Sequence, residues 1–351
     1  MRYGLMLVAV VIGGLAGCGK AQEPVWVEAS TLTVEGQGWP VDQLGATYVR
    51  LPAKAQGVVP DGVWGLAQNS TGISVRFVTT SPQLKLAWRL NTDRMSMAHM
   101  PATGMSGIDV YAKQDGVWRF VNNGQPRARD NEVNINLPAA EEYRLYLPLY
   151  NGVETVRLAA NEGHTISPAP VNDRPLVMFY GTSILQGGCA SRPGLAAVSI
   201  AGRALNVPTI NLGFSGAGQG EPEVADLLAE IDADIFVLDP LWNMQPAQMQ
   251  ERYKPMVRKI RAAHPDAPIL LVEDTQVHDW VPTTKGKLLR EYLAELEAEG
   301  ITGLYFLDAH GMLGTDGEGT VDGVHPNDIG FMRQAAKYVE ALQPIIDSLV
   351  D

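Results

Sequence analysis

Near residue 165 the hydrophobic pattern of the chain changes period, and this constrains the fold more than any other feature. Before it, apolar and polar residues alternate. Ile73, Val75 and Phe77 form one such run; Leu84, Leu86, Trp88 and Leu90 a second; Val133, Ile135 and Leu137 a third; Tyr143, Leu145, Leu147 and Leu149 a fourth. A period of two lines one face of a sheet with apolar side chains and leaves the other face polar. Asp115-Gly116 and Asn151-Gly152 are dipeptides of the kind that close hairpins. Residues 25–165 therefore read as an antiparallel β-sandwich domain.

Beyond a proline-bearing connection from Thr165 to Pro175, short apolar runs alternate with helical periodicity. Strands are expected at Leu176–Tyr180, Pro208–Leu212, Ile235–Leu238, Ile269–Val272 and Leu304–Leu307. Between them, Tyr253, Met256, Val257 and Ile260 share one helical face, as do Leu289, Tyr292, Leu293 and Leu296. A last helix carries Phe331, Ala335, Tyr338 and Leu342. Alternating strands and helices argue for a parallel sheet wrapped by helices over residues 172–351. The connection is short and stiffened by proline, so the β domain is expected to pack against the carboxyl end of that sheet.

The first residues, MRYGLMLVAVVIGGLAGC, place Arg2 before a short apolar run that ends in small residues and Cys18. This is the layout of an export signal over residues 1–17. Leu15-Ala16-Gly17-Cys18 resembles the lipobox of bacterial lipoproteins, which implies lipidation of Cys18 and a membrane-anchored, exported protein. Gly19 follows the cysteine, so the outer membrane is the expected destination in a cell with two membranes. With 27 Lys+Arg against 39 Asp+Glu, the net charge is −12, and no basic cluster offers a footprint for nucleic acid. The two cysteines, Cys18 and Cys189, exclude a disulfide scaffold and a Cys-rich zinc module.

Four short blocks in the second half carry chemistry. Tyr180-Gly181-Thr182-Ser183 follows the first strand, so a hydroxyl stands at the carboxyl end of that strand, where open α/β sheets bind ligands. The α/β-hydrolase elbow Gly-X-Ser-X-Gly fails here, because Leu185 takes the last position. Asn211-Leu-Gly-Phe-Ser-Gly216 follows the second strand, and a glycine there can offer a bare main-chain amide to an oxyanion. Leu238-Asp-Pro-Leu-Trp-Asn243 follows the third, with a side-chain amide as a second donor. Asp322-Gly-Val-His325 precedes the last helix and can set a carboxylate beside an imidazole, the pair that activates a serine.

In this order the four blocks resemble the SGNH hydrolase family, also called GDSL-type esterases. Gly107-Ile-Asp-Val-Tyr111 in the first half fits the Gly-X-Asp-Leu-Tyr motif of a bacterial branch with an N-terminal β domain. The resemblance implies a flavodoxin-like three-layer hydrolase domain and no cofactor. It implies Ser183 as nucleophile, His325 as base and Asp322 as its orienting carboxylate. The amides of Ser183 and Gly216 and the side chain of Asn243 would form the oxyanion hole. Two departures stand out. Thr182 replaces the aspartate of Gly-Asp-Ser, and Leu-Trp-Asn-Met replaces Gly-X-Asn-Asp.

The expected activity is hydrolysis of a small acyl ester, acetyl first, on a carbohydrate. The alternatives are a lipid-directed esterase or acyltransferase, and a noncatalytic surface lipoprotein that binds glycan. His99, Arg192 and Trp242 are candidate substrate contacts, with His99 expected to face the Ser183 pocket. Cys189 reads as an inert buried thiol. The acidic loop of Asp316, Glu318 and Asp322 misses the spacing of a calcium loop, so no metal is expected.

Overall fold

The computed structural model describes residues 24–278 and 280–350. The segment expected to be an export signal, and Cys18, lie outside the described residues. No helix among the described residues is long and apolar enough to cross a membrane.

Ten strands build the N-terminal part: β1 (Val27–Glu28), β2 (Thr33–Glu35), β3 (Ser74–Thr79), β4 (Gln83–Leu90), β5 (Ile108–Gln114), β6 (Val117–Gly124), β7 (Asp130–Asn136), β8 (Glu142–Tyr146), β9 (Val153–Ala160) and β10 (Ile166–Pro168). They form two antiparallel sheets, in the order β1-β9-β4-β7 and β10-β3-β8-β5-β6, with β2 also paired to β3. The alternating residues behave as their period dictates. Ile73, Val75, Phe77, Leu84, Leu86, Trp88, Leu90, Ile135, Tyr143 and Leu145 meet in one core between the sheets. The connection after residue 165 packs along the edge, with β10 paired to β3.

The two hairpin signals part company. Asp115 and Gly116 both take positive φ, 53° and 74°, and close the β5–β6 hairpin. Asn151-Gly152 closes no hairpin, because β8 and β9 belong to different sheets. Its asparagine is buried instead, and its side-chain amide donates to the carbonyls of Thr92 and Arg94 and to the Ser106 hydroxyl. A polar strut, rather than a tight turn, carries the chain from one sheet to the other.

The second half holds a parallel sheet of β11 (Val177–Gly181), β12 (Thr209–Gly213), β13 (Ile235–Asp239), β14 (Ile269–Val272) and β15 (Leu304–Leu307). The order is β12-β11-β13-β14-β15, which is the flavodoxin-like arrangement. Both faces are covered. Met178, Tyr180, Phe236 and Leu238 join the core on one side; Val177, Phe179, Ile235 and Val237 join the core on the other. The strand order reverses beside β11, so a crevice opens at the carboxyl ends of β11 and its neighbours.

Candidate active site

β11 ends at Gly181, and Thr182 caps the short helix Ser183–Gln186 by accepting the Ile184 amide on its side chain. The threonine that stands where the family motif has aspartate thus does the capping, and the Ser183 hydroxyl is left free for another partner. That partner is His325. Ser183 Oγ lies 2.9 Å from His325 Nε2. His325 Nδ1 lies 2.8 Å from Asp322 Oδ2. With Nδ1 donating to the carboxylate, Nε2 is an acceptor for the serine proton.

The Asp322 turn serves two purposes at once. Oδ1 accepts the amides of Val324 and His325 and fixes the loop, while Oδ2 faces the imidazole. Partial burial works against ionisation of this carboxyl. The hydrogen bonds from the His325 amide and ring and from the Val324 amide outweigh it, and hold the group down to about 2. Capping of the last helix, Asp328–Val350, falls to Asn327, whose side chain accepts the Gly330 amide.

Opposite the serine, the loop after β12 carries Phe214, Ser215 and Gly216. Gly216 is exposed at φ +68°, with open space where a side chain would stand. Among the described residues the amides of Ser183 and Gly216 have no hydrogen-bond partner. The Asn243 side chain donates one N–H to the Phe214 carbonyl at 3.1 Å, which ties the loop after β13 to the glycine loop. Its second N–H is available for a ligand oxygen. Three N–H donors thus stand on the loops that follow the adjacent strands β11, β12 and β13, with the hydroxyl of the relay on the first of them, an arrangement suited to acyl transfer through a tetrahedral oxyanion.

The sandwich forms part of this site. The segment between β4 and β5 sets the exposed ring of His99 edge-on to His325, with centroids 5.7 Å apart and planes at 78°. Tyr150, from the connection after β8, donates its hydroxyl to the Ser183 carbonyl at 3.1 Å. Gln186 is fully buried, accepts the Ser215 amide and donates to the Leu149 carbonyl. Arg50 is buried and donates to the carbonyls of Leu66, Asn69, Asn211 and Gly213, with its guanidinium 4.7 Å from the Phe214 ring centre. Burial pulls this guanidinium down to about 9. Neither Arg50 nor Tyr150 stood out in the sequence, because each acts on a residue far along the chain.

Arg192 and Trp242, expected to touch substrate, have other partners. Arg192 donates to Asp109 at 2.9 Å and to the Tyr111 hydroxyl, and it stacks 3.8 Å from the Phe120 ring centre. The aspartate and tyrosine of the Gly107–Tyr111 motif thereby receive the hydrolase half. Asp109 also accepts the Gly194 amide, and a side chain at Gly194 would strike the Tyr111 ring at 2.4 Å. The half-buried Trp242 donates its Nε1–H to the carbonyl and hydroxyl of Thr275. This bond joins the Asn243 loop to the loop after β14. On that second loop Trp280 is 73 % exposed and packs 4.9 Å from the His278 ring. No periodic pattern marks this pair in the sequence.

Cys189 is buried, and its amide donates to the Pro326 carbonyl beside His325. Burial, helped by the Asp322 charge, pushes the thiol up to about 12, so at neutral pH it is a protonated thiol rather than a rival nucleophile.

Residues 174–345 match the model of the GDSL-like Lipase/Acylhydrolase family. Residues 24–166 match the model of the N-terminus of SGNH-hydrolase-type esterases, GxDLY. A Bacteroides ovatus protein described as a GDSL-like lipase is 34 % identical, with 92 % of this chain and 98 % of that chain covered and a TM-score of 0.83. The salicylyl-acyltransferase SsfX3 from a tetracycline biosynthetic pathway is 22 % identical over 93 % of this chain and 98 % of that chain, with a TM-score of 0.72. A family two carbohydrate esterase from Cellvibrio japonicus is 16 % identical over 93 % and 99 %, with a TM-score of 0.60. No curated protein matches the chain.

Proposed function

The chain belongs to the GDSL-like lipase/acylhydrolase family and is an SGNH-type esterase, and from that premise we propose that it releases a small acyl group, acetyl first, from a carbohydrate. Ser183 Oγ attacks the ester carbonyl while its proton passes to His325 Nε2. Asp322 holds the imidazole in the required tautomer and balances its charge. The oxyanion takes hydrogen bonds from the amides of Ser183 and Gly216 and from the Asn243 side chain. His325 then gives its proton to the departing sugar oxygen, leaving an acyl-Ser183. Water, deprotonated by His325, attacks that ester and returns the serine.

The observation that carries this reading is the linear relay from the Ser183 hydroxyl through His325 to Asp322, at 2.9 and 2.8 Å. The sugar half of the proposal rests on a different one. Trp280 is exposed on a loop at the carboxyl end of the sheet, bonded through Thr275 to the residue beside Asn243. An exposed aromatic face on a loop tied to the Asn243 loop suits a sugar ring better than an acyl chain. The carbohydrate esterases whose fold the chain shares support the same substrate class. Export and lipid anchoring at Cys18 complete the proposal and rest on the Leu15–Cys18 sequence alone.

The test is product release from matched substrates. The purified protein is incubated with acetylated xylo-oligosaccharides and with p-nitrophenyl esters of two and sixteen carbons. Free acetate from the sugar and a preference for the short ester support the proposal. A preference for the long ester without sugar deacetylation overturns it in favour of a lipid substrate.

A further inference from the structure

We propose that His99, Cys189 and His325 form an inhibitory site for a thiophilic divalent cation, zinc above all, which silences the esterase by occupying its imidazole. The proposal rests on the reading of His325 as the catalytic base. Among the described residues these three are the one group of three or more His, Cys, Asp or Glu side chains gathered closely enough to hold a metal ion, with donor atoms within 4.8 Å of one another. Two imidazoles and a thiol are a borderline-soft donor set that favours zinc over magnesium or calcium. Three protein ligands leave the fourth tetrahedral position for water or a substrate oxygen.

The surroundings suit a metal as well. His325 Nδ1 faces the Asp322 carboxylate at 2.8 Å, the outer-shell arrangement that orients metal-binding histidines and leaves Nε2 as the donor. Cys189 cannot drift from that ring, because its amide is bonded to the Pro326 carbonyl. His99 stands on the exposed side and gives the ion its way in. Tetrahedral bonds of about 2.0–2.3 Å put ligand atoms about 3.5 Å apart. A spacing of up to 4.8 Å must therefore close by about 1 Å for the ion to bind all three.

The chemistry balances without any further reactant. The cation takes the Nε2 lone pairs of His99 and His325 or their ring equivalents, and the Cys189 S–H bond breaks as an S–metal bond forms. One proton goes to solvent. Coordination of His325 Nε2 removes the acceptor now facing Ser183 Oγ at 2.9 Å, so the nucleophile loses its base.

The test uses the full chain with any affinity tag removed. Zinc chloride inhibits p-nitrophenyl acetate hydrolysis, and EDTA restores it. Cys189→Ser keeps its basal turnover but needs at least about tenfold more zinc for the same inhibition. Equal zinc sensitivity in the two proteins overturns the proposal. A second measurement needs no activity. Cobalt added to Ser183→Ala gives the near-ultraviolet thiolate-to-cobalt band, and the band is missing from Ser183→Ala/Cys189→Ser. Its absence from Ser183→Ala also overturns the site, whereas the band in Ser183→Ala together with an unmodified chain that hydrolyses no ester upholds the site and faults the hydrolytic reading instead.

Discussion

The Tyr150 hydroxyl donates to the main-chain carbonyl of Ser183 at 3.1 Å. A side chain of the β-sandwich thus holds the turn on which the proposed nucleophile stands. Tyr150 is half-buried against the same turn, and a side chain on Gly188 would meet its hydroxyl at 2.7 Å. Tyr150→Phe keeps the ring and removes one hydrogen bond, a change of about 0.5–1.5 kcal/mol. We expect kcat for p-nitrophenyl acetate to fall by about three- to tenfold with KM unchanged. A lower melting temperature with full kcat would assign Tyr150 to stability alone.

The Asp322 carboxyl, held at about 2, stays ionised throughout the range in which an esterase is assayed. Asp322 thus adds no step of its own to the pH profile in that range. The acid side of log kcat/KM against pH should therefore have a slope of one. Asp322→Asn should lower kcat by about 10⁴ while leaving the binding surface in place. A slope of two in the unmodified enzyme would show a second essential acid and contradict the relay as described.

Asp239, at the end of β13, is buried. Burial pushes its carboxyl up to about 7, against the opposing hydrogen bond from the Tyr338 hydroxyl and with the help of the Asp274 charge. The folded state therefore binds the proton more tightly than the unfolded chain, whose aspartates titrate near about 3.9. Stability is full below pH about 4 and is lost as the pH rises to about 7, with no further loss from this group above that. Asp239→Asn should flatten the denaturation midpoint between pH 4 and 7, as read by urea titration. An unchanged pH slope would mean that Asp239 is ionised in the folded protein.

On the proposed sugar substrate, a change at Trp280 should separate sugar binding from bond breaking. Trp280→Ala should raise KM for an acetylated oligosaccharide about tenfold, equivalent to about 1.4 kcal/mol. It should leave p-nitrophenyl acetate hydrolysis unaltered. Equal kinetics on the oligosaccharide would remove the loop after β14 from the substrate path.

Much of this architecture is legible in the residues, and the exceptions have physical causes. Each strand of the parallel sheet begins within one residue of its apolar run, because a strand covered on both faces must be apolar throughout. Gly-X-Ser and Asp-X-X-His are local in sequence, so their turns can be read directly. Asn151-Gly152 misleads because a buried asparagine that finds three partners outcompetes the tight turn its sequence favours. Arg50 and the Arg192–Asp109 pair act across more than eighty residues of chain, and Tyr150 acts across 33. No local pattern records which carbonyl a distant guanidinium or phenol will reach. Trp280 looks like any loop aromatic until the fold sets its loop beside Trp242.

The account turns on Ser183, and the most direct measurement compares Ser183→Ala with the unmodified chain in kcat/KM for acetyl ester hydrolysis and in melting temperature. The hydroxyl is bonded to His325 alone among the described side chains, so the fold should survive its removal. We predict a loss of at least about 10⁴ in kcat/KM with a melting temperature unchanged within error. An intact, well-folded Ser183→Ala protein that still hydrolyses the ester at the original rate would contradict the account.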